Sequence, residues 1–71
     1  MTKFNKLKTW LKDNNIYYQE TKKNNFIEIP NIFSRVYNDH QELSFDSPDK
    51  FVTYSNNKDL YKTITEEIKK I

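Results

Sequence analysis

The sequence predicts an α+β domain: an N-terminal helix, an antiparallel sheet of three to five short strands and a C-terminal helix, with both helices on one face of the sheet. Three observations carry that expectation. Apolar residues recur at helical spacing near both ends, the middle is rich in strand formers punctuated by Asn and Pro, and each terminal helix has one apolar stripe to bury.

The first helix runs from about residue 3 to 13. Thr2 is its N-cap, and Phe4, Leu7 and Leu11 follow at i, i+3 and i+7, with Trp10 widening the stripe. Lys6, Lys8 and Lys12 occupy the other face. The helix stops at Asp13-Asn14-Asn15, because Asn takes the left-handed C-cap conformation that Gly usually supplies, and this chain has no Gly. Asn14-Asn15, Asn24-Asn25 and Asn56-Asn57 each separate periodic segments.

Strand patterning begins at Ile16. Residues Ile16 to Thr21 form one strand, Lys22-Lys23-Asn24-Asn25 a hairpin turn, and Phe26 to Ile29 the returning strand, closed by Pro30, which cannot donate to a ladder. A second hairpin pairs Ile32 to Tyr37 with Glu42 to Asp46 around a turn at Asn38-Asp39-His40-Gln41. The pattern leaves open whether Pro30 separates two strands or bends one. Ser47-Pro48-Asp49 turns the chain again before Phe51 to Tyr54. The last helix is capped by Asn56 with Asp59 three residues on; Leu60, Ile64, Ile68 and Ile71 line one face with Tyr61 beside them, and Lys58, Lys62, Glu66, Lys69 and Lys70 face water.

Seventy-one residues make one domain, residues 1–71, near the lower size at which an unstapled core holds a fold. Without Cys there is no disulfide, so the core rests on large side chains, each contributing on the order of 1.5–3 kcal/mol when buried. A homodimer interface is a natural supplement. No stretch approaches the length of a membrane span and the first residues lack the apolar core of a signal peptide, so the expectation is a soluble cytoplasmic protein with no membrane partner.

Composition also argues against most catalytic machinery. Lack of Cys removes the thiolate nucleophile and the zinc knuckle, and lack of Gly removes the phosphate-cradling loops. Pro48-Asp49 followed by Glu67-Ile68-Lys69 matches a nuclease pattern in letters, but its second half lies on a helix, whereas two carboxylates sharing one Mg²⁺ need adjacent strands. Asp39, His40, Glu42, Asp46 and Asp49 offer metal-ligand chemistry around a turn, but read better as a solvated hairpin whose acids protect a sheet edge. The expectation is a non-enzyme with no metal and no cofactor.

Binding chemistry remains. Strand neighbours point to opposite faces, so Tyr17 and Tyr18 cannot both be core, nor can Ile32 and Phe33. If the helices cover one face, the other displays Tyr17 or Tyr18 together with Phe33, Arg35 and Tyr37. An Arg among aromatics has the composition of a protein interface hot spot. Charge is split: residues 1–23 carry +4, residues 24–57 carry −3 and the remainder +1. That dipolar layout suits a protein partner better than a phosphate backbone. The alternative is a nucleic-acid-binding domain that stacks bases on the exposed sheet aromatics and meets phosphates with Lys3, Lys6, Lys8, Lys12, Lys22 and Lys23.

Helix, antiparallel strands and helix in about seventy residues resembles the double-stranded RNA-binding domain in element order and length. The Gly-Pro and His-bearing loop of that family is missing, and Asp59 interrupts Lys58 and Lys62 where the family's last helix begins with a lysine run. No binding residue carries over. In style the whole chain, Cys-free and rich in Asn, Lys, Ile and Tyr, resembles small accessory proteins of phages and mobile elements from low-GC Gram-positive bacteria. That resemblance implies a stoichiometric protein that binds and modulates a host or competitor protein, such as an anti-defence or anti-CRISPR inhibitor.

Overall fold

The computed structural model describes residues 2–21, 26–39 and 42–71. Helix α1 (Lys3–Asp13) precedes strands β1 (Gln19–Thr21), β2 (Phe26–Ile29), β3 (Ser34–Asp39), β4 (Glu42–Asp46) and β5 (Phe51–Tyr54), and helix α2 (Asn57–Lys69) ends the order. One 3₁₀ turn, Pro30–Ile32, joins β2 to β3. All five strands form a single antiparallel sheet in chain order, β1-β2-β3-β4-β5.

Local chemistry sets the helix ends. The Thr2 hydroxyl accepts the Asn5 N–H at 3.1 Å, satisfying one of the free donors of α1. At the other end Asn15 adopts φ 57°, which brings its N–H to the Lys12 carbonyl and the Ile16 N–H to the Leu11 carbonyl at 2.9 Å. This is a Schellman closure built on Asn in place of Gly, and Ile16 then packs against the core. The Asn56 side chain caps α2 by accepting the Asp59 N–H at 3.0 Å.

Register decides which side chains share a face. Ile27, Val36, Phe45 and Val52 stand side by side across the four longer strands. Ile27, Val36 and Phe45 are fully buried, together with Ile29 and Leu43, against Phe4, Leu7 and Leu11 of α1 and Leu60 and Ile64 of α2. Both helices therefore cover the same sheet face, as the sequence predicts. Trp10 stacks on Tyr61 with ring centroids 4.4 Å apart, sealing the seam between the helices. Thr63, a polar residue in the core layer, is satisfied by Tyr54 Oη at 2.5 Å and by the Asp59 carbonyl.

Four expectations are corrected. β1 starts at Gln19 rather than Ile16, because Ile16 is tied to the end of α1 and pairing begins only after the chain has left the helix. Ile32 lies in the 3₁₀ turn and not in a strand, so Pro30 separates two strands: its fixed φ starts the turn, and the Phe33 N–H closes it on the Pro30 carbonyl at 3.1 Å. Asn38 and Asp39, assigned to the turn at residues 38–41, belong to β3 and continue the ladder opposite Leu43 and Glu42. Ile71, placed on the apolar stripe of α2 by its spacing, is 78% exposed, because the helix ends at Lys69 and Ile71 falls outside it. The turns assigned to Lys22-Lys23-Asn24-Asn25 and to His40-Gln41 lie outside the described residues.

Candidate functional site

The sheet face away from the helices carries two cross-strand rows. Gln19, Glu28, Arg35, Asp46 and Phe51 form one; Thr21, Phe26, Tyr37, Ser44 and Thr53 form the next. Arg35 is central, on the middle strand. Its Nε donates to Glu28 Oε2 at 3.4 Å, and the guanidinium lies 5.6 Å from the centre of the Phe26 ring. Phe26 packs against Tyr37 at 5.4 Å with rings tilted 46°. Tyr37 foremost, then Glu28, raises the Arg35 pKa above its already high ordinary value; a guanidinium is charged at any physiological pH, and this one lies over the Phe26 ring.

Beside Arg35 a groove of about 390 Å³ opens between Pro30 and Phe33 on one side and Asp46 and Pro48 on the other. Phe33 forms its lip. Phe33 is 80% exposed, and its backbone sits at φ 53°, ψ 38°, the left-handed region that bulky side chains avoid. Asn15 meets the same backbone requirement with a residue that tolerates it.

Of the residues singled out by sequence, Arg35 is exposed and Tyr37 half-buried on the outer face, while Phe33 flanks them from the connection before β3. Tyr17 is 55% exposed and Tyr18 packs against the core; both precede β1. Sequence reasoning missed Phe26, Phe51 and Asp46 as members of this face. Alternation along Phe26-Ile27-Glu28-Ile29 is the signal that places Phe26 beside Glu28, and only the register across strands brings both to Arg35.

The lysines assigned to a phosphate-binding surface are dispersed. Lys8 donates to Glu20 at 3.0 Å, Lys3 donates to the Ser55 carbonyl, and Lys6 and Lys12 are exposed on α1, across the sheet from Arg35. Lys22 and Lys23 lie outside the described residues. No family model, curated protein or solved structure matches this chain.

Two other sequence clusters resolve differently. Glu67 sits on α2 with its carboxylate held by Lys70 at 2.9 Å and Lys50 at 3.5 Å, an arrangement that clips the end of the helix to the β4–β5 turn. Among the described residues, no three of His, Cys, Asp or Glu are grouped so as to hold a metal ion, and no helix is long and apolar enough to cross a membrane.

Proposed function

We propose that this protein is a non-enzymatic protein-binding module whose docking face is the outer sheet surface around Arg35, Tyr37 and the Phe33 groove. One observation carries the reading. Phe33 spends on the order of 1–2 kcal/mol of backbone strain while 80% exposed, so folding gains little from its ring. A strained, exposed aromatic beside an anchored Arg and two prolines has the chemistry of an interface hot spot, where a partner's burial of the ring returns what folding does not. The mixed signs of Glu28, Arg35 and Asp46 favour a protein surface over a uniform polyanion. A stoichiometric modulator, the role implied by the resemblance to phage accessory proteins, fits such a face.

The test is capture from extracts of the native host with tagged parent and variant proteins, followed by titration of the recovered partner. Arg35→Ala, Tyr37→Ala and Phe33→Gly are each expected to weaken binding by about 30-fold or more, mainly through faster dissociation and with mild salt dependence. Unchanged affinity in all three overturns the proposal. So does a steep loss of affinity with salt accompanied by equal defects in Lys6→Ala and Lys12→Ala, which is the signature of a nucleic-acid ligand.

A further inference from the structure

The sheet has two edges, and they differ. β1 is three residues long and carries Glu20, a charge of the kind that keeps an edge from pairing. β5 is Phe51-Val52-Thr53-Tyr54, four strong strand formers with no charge and no Pro, and among the described residues its one ladder neighbour is β4. Ser47 N–H donates to the Lys50 carbonyl at 2.9 Å, so that pair is hydrogen-bonded, and in an antiparallel ladder such pairs alternate along the strand. The register Phe45↔Val52 and Leu43↔Tyr54 continues the bonded pairs, so Val52 and Tyr54 turn their N–H and C=O groups to β4. Phe51 and Thr53 turn theirs to the open edge. At Ser55, just past the strand, Lys3 already occupies the carbonyl.

We infer that β5 is a self-association edge, and that its occupant is β5 of a second copy of this chain, run antiparallel about a two-fold axis at Val52. This inference is independent of the docking face around Arg35. Self-complementarity is what selects a second copy. With the axis at Val52, Phe51 of each chain meets Thr53 of the other; both members of that pair have outward-facing backbone groups, and each pair exchanges two N–H···O bonds. No charge within the strand is buried by the pairing. An axis perpendicular to the sheet keeps both outer faces on one side, so Phe51, 64% exposed in the single chain, lies against Thr53 of the second copy. The result is a continuous ten-stranded sheet with two Arg35 sites on one surface. Strands of this length bury less than a standard interface, so the dimer is weak and concentration-dependent.

Sedimentation velocity from about 10 μM to about 1 mM protein tests it, the window in which weak association becomes visible. The expected result is a monomer–dimer equilibrium, with amide exchange at Phe51 and Thr53 slowing as concentration rises while that of surface amides on α2 does not. Thr53→Lys should shift the midpoint at least tenfold upward with an unchanged circular dichroism spectrum, since Thr53 is exposed and its N–H takes no part in the β4 ladder; the loss of its 3.2 Å hydroxyl contact with Ser44 is read separately, as a change in urea stability of the monomer. A monomer throughout the range overturns the inference, as does a dimer that Thr53→Lys leaves intact. If that variant fails to fold, the exchange measurement on the parent decides: protection at Phe51 and Thr53 independent of concentration refutes the pairing.

Discussion

Substituting Phe33 by Gly and, separately, by Ala isolates backbone strain from packing, because both changes remove the same ring. At an ordinary position with negative φ, Ala is more stable than Gly by about 0.4–1 kcal/mol, since Gly has more unfolded freedom to lose. At φ 53° the order inverts. An L-residue in the left-handed region costs about 1–2 kcal/mol, and Gly escapes that cost; subtracting its unfolded-state entropy leaves Phe33→Gly ahead of Phe33→Ala by about 0.5–1 kcal/mol. The residue is only about one-fifth covered, about 40 Å² for a residue of this size, so losing the ring costs at most about 1 kcal/mol. Relief of strain offsets most of that, and Phe33→Gly should unfold within about 1 kcal/mol of the parent. Urea denaturation followed by circular dichroism reads both differences, and in a domain of this size the Gly–Ala gap corresponds to about 2–8 °C in melting temperature. Lys62, exposed on α2, is the control site: there Ala should exceed Gly by about 1 kcal/mol. If Phe33→Ala proves as stable as Phe33→Gly or more so, the left-handed strain at this position is absent and Phe33 carries no cost for a docking partner to return.

Other outcomes follow from burial and charge. Leu11 and Ile64 are fully buried between helix and sheet, so Leu11→Ala or Ile64→Ala should cost about 2–5 kcal/mol, whereas Ile71→Ala should change stability by less than about 0.5 kcal/mol; calorimetry that ranks Ile71 with Ile64 would refute the helix packing. Lys70 foremost, and also Lys50, holds the Glu67 carboxyl below the ordinary glutamate range against the opposing effect of desolvation. A lowered folded-state pKa contributes stability that is present above the unfolded value and lost as pH falls through the folded one, so the parent should lose stability on acidification over that window and Glu67→Gln should lose less. Equal acid sensitivity in parent and Glu67→Gln would mean that the clip contributes nothing to stability.

Most of the fold was legible because each signal is local. The period of Phe4, Leu7 and Leu11, the caps at Thr2 and Asn56 and the alternation of Leu43 and Phe45 each need only a few neighbouring residues to take effect. Asn15 belongs with them, since its tolerance of positive φ is a property of its own side chain. Boundaries were less legible where two local demands competed, as at Ile16, claimed by the end of α1, and at Ile32, claimed by the turn that Pro30 initiates. The candidate site was legible in its parity and not in its membership. Alternation alone put Arg35 and Tyr37 on the same side of β3, because successive Cβ atoms of any strand oppose each other.

What tertiary structure decided is everything that depends on residues distant in sequence. Sequence by itself determined two amphipathic helices around a sheet and a free face bearing Arg35. The order and register of five strands decided that Glu28, Phe26 and Asp46 surround that Arg, and which edge of the sheet is left without a charge. The 3₁₀ turn decided that Phe33 leaves the strand and stands at a groove. These outcomes are set by loop closure and cross-strand pairing, whose free energies come from contacts no single segment contains.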